Sequence, residues 1–181
     1  MGAHGSAWRL SSSRRRGRPR VLQLLPANQE TITRYRLRLE REPAPPYEKP
    51  VLCERPAAAA RLASKLVGDV DREIMGALFL DGRNRAVGHT IAYVGGLSRV
   101  TVEPRGLLVP ALLGNAAGIV AFHNHPSGDL SPSAEDLAFT RRLSEAAELL
   151  GVSLLDHLII GEPGRFVSLR GRGALPGIES S

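Results

Sequence analysis

The stretch "VAFHNHPSGDLSPSAED", residues 120–136, places His123 and His125 one residue apart, after an apolar run and before a turn. Residues two apart in an extended strand point to the same side. A strand running through "IVAF" to His125 would therefore project both imidazoles from its end, where they could grip one ion from one face. Pro126 and Gly128 would turn the chain, and a helix beginning at Ser133 would bring Asp136 back in its first turn. Two histidines, a carboxylate and one open position form the ligand set of a catalytic zinc site, which keeps a place for water. The same residues also admit a reading without metal. Ser133 followed three residues later by Asp136 has the spacing of a helix capping box, which would account for both.

The elements that must deliver these residues can be read on either side. "IMGALFLD" from Ile74 is a nearly continuous apolar run and reads as a buried strand; "GRNR" is a turn, and "AVGHTIAYVG" a second strand that makes a hairpin. "PAAAARLASKLVG" from Pro56 is a helix with proline near its start and glycine past its end. "PRGLLVPALLGNAAG" looks helical, although Pro110 should end or kink it. "SAEDLAFTRRLSEAAELLG" has apolar residues at helical spacing and Gly151 at its end. "VSLLDHLIIG" and "RFVSL" finish as strands. Helices and hairpins mixed in this order predict an α/β sandwich, a mixed sheet covered by helices. Asp156 and His157 are neighbours on one strand, so they face opposite ways and read as supporting residues. His4 and His89 have no partner in sequence.

Composition bounds what surrounds this domain. The chain has 181 residues, enough for one domain with a proper core. The single cysteine, Cys53, rules out an internal disulfide and a CxxC zinc site and fits a reducing, cytoplasmic setting. No apolar run is long enough to span a bilayer, so no membrane partner is expected. The net charge of +6 is local: residues 1–20 carry six arginines and no acid, and the remainder holds 18 basic and 18 acidic residues. Residues 1–30 read as a basic, disordered tail, and any weak contact with nucleic acid or another polyanion would reside there. An acid-free, Arg- and Ser-rich start also has the composition of an organellar transit peptide, whereas "VLQLL" is too short for the core of an export signal. Residues 31–50 follow as an alternating strand, "TITRYRLRLE", and a Pro-rich linker.

The spacing His-x-His, seven residues, Ser, two residues, Asp matches the JAMM pattern of the MPN-domain metalloproteases. "HNHPSGD", the preceding "AGIVAF" and the later "LLDHLIIG" most resemble the RadC branch of that superfamily. The resemblance implies an MPN (JAB)-type domain over residues 51–173 and leaves 174–181 as a C-terminal tail. It implies that His123, His125 and Asp136 hold zinc, that Glu73 is the general acid/base on the first sheet strand, and that Ser133 stabilises the oxyanion. On its residue type alone, Glu73 would read as a solvated charge at a strand edge. The activity implied is hydrolysis of peptide or isopeptide bonds, with a peptide or protein as substrate.

The alternative is a DNA repair-associated factor or a metal-dependent nucleic-acid enzyme, prompted by the arginine tail and the RadC likeness. The letters "HNH" do not support it, because HNH nucleases disperse those residues over a ββα unit. A cupin-type site would need a glutamate soon after His125, and none precedes Glu135. A third reading, a non-catalytic MPN-like module, has no use for three ligands and an acid. Two departures from the family pattern are visible: residues 1–50 do not read as the helical region expected ahead of this domain, and Glu103 stands where relatives often have histidine.

Overall fold

The computed structural model describes residues 51–68, 71–95, 103–173 and 175. The basic tail, the strand and linker of residues 31–50, and all of the C-terminal tail except Leu175 lie outside the described residues. In chain order the elements are α1 (Pro56–Val67), β1 (Ile74–Leu80), β2 (Ala86–Val94), α2 (Arg105–Leu113), β3 (Gly118–Asn124), α3 (Ala134–Leu149), β4 (Ser153–Ile160) and β5 (Phe166–Ser168). They form one five-stranded sheet in the order β2-β1-β3-β4-β5. All neighbouring strands run antiparallel except β3 and β4, the pair joined by the α3 crossover. The architecture is the expected α/β sandwich with a mixed sheet.

The apolar pattern explains the layers. Strands β1 and β3 are buried along their whole length, so both faces are covered and their sequences are continuous apolar runs. Strand β2 lies at the edge and is far more exposed. On one face, Met75, Ala77, Ile119 and Ala121 pack with Leu107 and Leu108 of α2 and with Phe139, Leu143 and Ala147 of α3. On the other, Leu78, Leu80, Val120 and Phe122 pack with Ala59, Leu62, Ala63 and Val67 of α1. Gly76 permits the crossing of β1 near its start, since a Cβ there would run into the Thr90 carbonyl and the Phe122 ring.

Two local expectations need correction. Pro110 lies inside α2 and does not end it. Proline removes one N–H, the one that would reach the Gly106 carbonyl. The helix holds through the bonds on either side, Leu108 N–H to the Pro104 carbonyl at 3.0 Å and Gly114 N–H to the Pro110 carbonyl at 2.8 Å, and through burial of Leu107, Leu108 and Ala111. Strand β3 stops at Asn124, so His125 is delivered by the turn that follows, where Gly128 N–H bonds the His125 carbonyl at 2.9 Å.

Candidate metal centre

The site forms where β3 ends, β1 begins and α3 begins. His123 closes the β1–β3 ladder opposite Met75 and is completely buried on the α3 face. Glu73 lies just ahead of β1, two residues before Met75, and so faces the same way. Its main chain is tied to the far strand by Gly95 N–H, 2.9 Å from the Glu73 carbonyl. One ligand atom each from Glu73, His123 and His125 lie within 4.8 Å of one another, a group able to hold a metal ion. Asp136 completes the gathering: its Oδ1 is 3.2 Å from His123 Nε2 and its Oδ2 is 3.4 Å from His125 Nε2. All five residues singled out in the sequence therefore meet at one place, since Ser133 bonds Asp136 directly.

The capping box is real and does not compete with the cluster. Ser133 Oγ accepts the Asp136 N–H at 3.1 Å, and Asp136 Oδ2 accepts the Ser133 N–H at 2.8 Å. The Ser133 hydroxyl also donates to Asp136 Oδ2 at 2.7 Å. The cap thus aims the carboxylate, leaving Oδ1 against His123. Burial alone would raise the Asp136 carboxyl, but a proton held on His123 Nε2 in the metal-free site and the bonds from Ser133 outweigh it and hold the group well below the usual carboxylate range. It is an anion at neutral pH.

Hydrogen bonds behind the histidines decide which nitrogens face forward. The Thr140 hydroxyl donates its one proton to the Asp136 carbonyl at 2.6 Å, so towards His157 Nδ1, also at 2.6 Å, it can only accept. His157 Nδ1 therefore carries a proton. Burial, reinforced by the neighbouring His123, pushes the His157 pKa well below its ordinary value, so the ring is neutral and its Nε2 is an acceptor. His123 Nδ1, 2.8 Å from that nitrogen, must donate to it. His125 Nδ1 in turn donates to the Asp129 carbonyl at 2.6 Å. In their neutral forms both rings thus turn an Nε2 lone pair inward, and those two nitrogens stand 3.0 Å apart beside an anionic carboxylate. Electron pairs converging at that distance repel one another unless a cation stands among them. The donor set therefore fits a metal ion, and outer partners fixing ring orientation are what metal-bound histidines usually have.

Exposure runs in one direction. His123 and His157 are wholly buried and the Asp136 side chain is 6% exposed, whereas the His125 side chain is 17% exposed. The cluster is sealed behind and open in front, where the fourth position would be. The expected supporting role of His157 thus takes a definite form, a link between Thr140 and His123. Asp156 faces the other way. Two functional positions escaped the sequence reading. Thr140 follows Asp136 by one helical turn, a spacing that places both on one face. Asn124, between the two histidines, is the other, and nothing in its residue type marks it.

The family model described as RadC-like JAB domain matches residues 53–174. The chain belongs to the RadC family. Its five-stranded mixed sheet and three helices are those of a JAB/MPN-type fold. The RadC domain is 40% identical over 125 residues to a UPF0758 protein of Shouchella clausii, covering 69% of this chain and 54% of that protein. It is 40% identical over 126 residues to one of Listeria monocytogenes, covering 70% and 56%, and 44% identical over 120 residues to one of Halorhodospira halophila, covering 66% and 53%. The chain thus spans about half the length of these curated relatives. Among the described residues of this RadC domain, no helix is long and apolar enough to cross a membrane.

Proposed function

We infer that the protein is a zinc-dependent hydrolase of peptide or isopeptide bonds, with His123, His125 and Asp136 as the zinc ligands. The observation that carries the reading is the spacing of the inward donor atoms. Around a tetrahedral ion with bonds of about 2.0–2.1 Å, neighbouring ligand atoms lie about 3.3 Å apart. The two Nε2 atoms stand 3.0 Å apart and Asp136 Oδ1 lies 3.2 Å from His123 Nε2, both near that edge, while the other oxygen, Oδ2, lies 3.4 Å from His125 Nε2. Two nitrogens and one carboxylate suit zinc, and three protein ligands leave a place for water.

Bound zinc would supply Lewis acidity, bringing the pKa of water towards about 7 and polarising a scissile carbonyl. Glu73 takes the proton of the attacking water and passes it to the leaving amine, a role suited to a carboxylate that lies within 4.8 Å of the histidine nitrogens. Asp136 and the two imidazoles stay fixed through the turnover, held by Ser133, His157 and the Asp129 carbonyl. The Ser133 hydroxyl spends its proton on Asp136 in the resting arrangement. It donates to a developing oxyanion only by rotating away, so aligning Asp136 is its first task and oxyanion stabilisation its second. A peptide or protein is the substrate, and any polyanion contact belongs to the arginine-rich tail.

Elemental analysis of purified protein, with cleavage of a peptide library, tests this reading. The expected result is about one zinc per chain in the wild type, its loss in His123→Ala, and zinc-dependent cleavage. Folded wild-type protein that takes up no zinc when it is offered overturns the reading.

A further inference from the structure

The β1–β3 ladder ends at the pair Met75–His123, because β3 stops at Asn124 and the chain turns away through Pro126. The next residue, Ile74, stands opposite Asn124, the last residue of β3, without joining the ladder, and the strand goes no further towards Glu73. The side chain of Asn124 fills the gap. Its Oδ1 accepts the Ile74 N–H at 2.7 Å, and its Nδ2 donates to the Arg72 carbonyl at 3.0 Å. One carboxamide thus makes one donor and one acceptor bond to main-chain groups on either side of Glu73, as a peptide unit of a neighbouring strand would. The residue is 7% exposed. From the opposite side, Gly95 N–H binds the carbonyl of Glu73 itself.

We propose that Asn124 is a positioning residue for Glu73, its side-chain amide standing in for the missing strand so that the Glu73 carboxylate is held over the histidines. The proposal rests on the reading of Glu73 as the acid/base, but its structural half can be tested without it. An extended residue turns its side chain to one face only while its backbone is held. Without the clamp, residues 72–74 are fastened to the sheet from the β2 side alone, through the Ile74–Val94 pair and the Gly95 N–H on the Glu73 carbonyl. A displacement of about 1 Å at a catalytic group can cost on the order of 10²-fold in rate. The middle residue of His-x-His therefore serves the third member of the site, while its neighbours serve the metal.

The test uses full-length Asn124→Leu, which keeps the approximate volume and removes both bonds, and Asn124→Asp, which keeps only the acceptor. Amide exchange at Ile74 should become at least about tenfold faster in Asn124→Leu and remain slow in Asn124→Asp. The ¹³C resonance of the Glu73 carboxyl, assigned by its absence in Glu73→Gln, should shift in Asn124→Leu with and without zinc. Zinc content should not change. Where cleavage is measurable, Asn124→Leu should lose on the order of 10²-fold. Glu73→Gln combined with Asn124→Leu should be no slower than Glu73→Gln alone, a non-additivity that a general loss of stability would not produce. A folded Asn124 variant with Ile74 still protected and the Glu73 resonance unmoved overturns the clamp, whether or not the protein proves to be a hydrolase. If Asn124→Leu fails to fold, slow Ile74 exchange in Asn124→Asp supports the acceptor bond and fast exchange overturns it. Wild-type protein that binds zinc and cleaves nothing counts against the proposed function and leaves the exchange and resonance results to decide the clamp.

Discussion

The two faces of the sheet bury polar groups in opposite ways, and Asp156 and His157 stand one on each. On the α1 face the Asp156 carboxylate meets only donors. Its Oδ1 accepts the His157 N–H at 2.8 Å and the Arg170 N–H at 3.0 Å, and its Oδ2 accepts the Ser168 hydroxyl at 2.6 Å. That face also has a cavity of about 350 Å³ bordered by Cys53, Asp156, Ser168 and Arg170, yet the carboxylate reaching it is already bonded to three donors. On the α3 face, His123, His125 and Asp136 turn acceptors towards one another, and the donors they do have point outward. Buried acceptors need positive charge or protons. One face supplies these from its own chain and is a fastening. The other leaves a place that a cation fits. The sign of the facing atoms distinguishes them.

Glu73→Gln gives the largest expected effect within this contrast. It keeps shape and removes basicity, so zinc and fold should remain while hydrolysis falls on the order of 10²–10⁴-fold. Kinetics on a library-derived peptide, with zinc analysis of the same samples, read both quantities. Equal loss of zinc in Glu73→Gln and Asp136→Asn would mean that Glu73 is a ligand and not the base.

Thr140→Val tests the chain behind His123. The substitution keeps the shape and removes the acceptor for His157 Nδ1–H, leaving that nitrogen free to lose its proton and the neutral ring free to change tautomer. Removing such an outer partner should weaken zinc affinity about 10–100-fold. Competition with a chelator of known affinity measures it. Unchanged affinity would show that the orientation of His123 is set elsewhere.

Asp156→Ala should behave in the opposite manner. It leaves three donors without their acceptor and should destabilise the protein by about 1–3 kcal/mol in chemical denaturation. Zinc content should stay as it was, because no bond from this carboxylate reaches the cluster. Loss of zinc in a folded Asp156→Ala protein would erase the distinction between the faces.

What was legible in advance follows the same physical line. Alternation and apolar runs mark β1, β2 and β3 because burial imposes the period, and Ser133 with Asp136 marks the start of α3 because the cap needs those side chains at that spacing. His123, His125 and Asp136 are visible because two histidines and a carboxylate within a short span have the pattern of a metal ligand set. Thr140 and Asn124 are not, since their tasks are hydrogen bonds to partners distant in sequence: Thr140 to His157, Asn124 to Arg72 and Ile74. Threonine and asparagine in those contexts look no different from solvated residues. The course of α2 through Pro110 was hidden for a related reason, because burial of Leu107, Leu108 and Ala111 outweighs a local preference. Glu73 was singled out only through the family likeness, its place above the histidines being a matter of register.

The smallest expected effect separates the faces by pH. The ordinary imidazole value is 6.5, and burial pushes the folded His157 well below it. As pH falls through 6.5, the unfolded chain takes up a proton that the folded state refuses, so the unfolded state binds more protons and stability falls with pH. The contribution is present above 6.5 and is lost at about 1 kcal/mol per pH unit below it. Asp156 carries the opposite sign. Burial raises its carboxyl above the ordinary 3.8 despite the bonds from Ser168 and Arg170, so it is the folded state that holds the extra proton. Its contribution is lost as pH rises from 3.8 towards the raised folded value, and it is flat above that value. Denaturation of zinc-free protein at pH 7.5, 6.5 and 5.5, with a chelator present, should therefore be less pH-dependent in His157→Gln than in the wild type, while Asp156→Asn, whose sign is opposite, should not make that dependence shallower. Zinc must be absent because its binding releases protons of its own. A His157→Gln protein with the wild-type slope would show that His157 already shares a proton with its neighbours, and the tautomer chain to His123 would have to be redrawn.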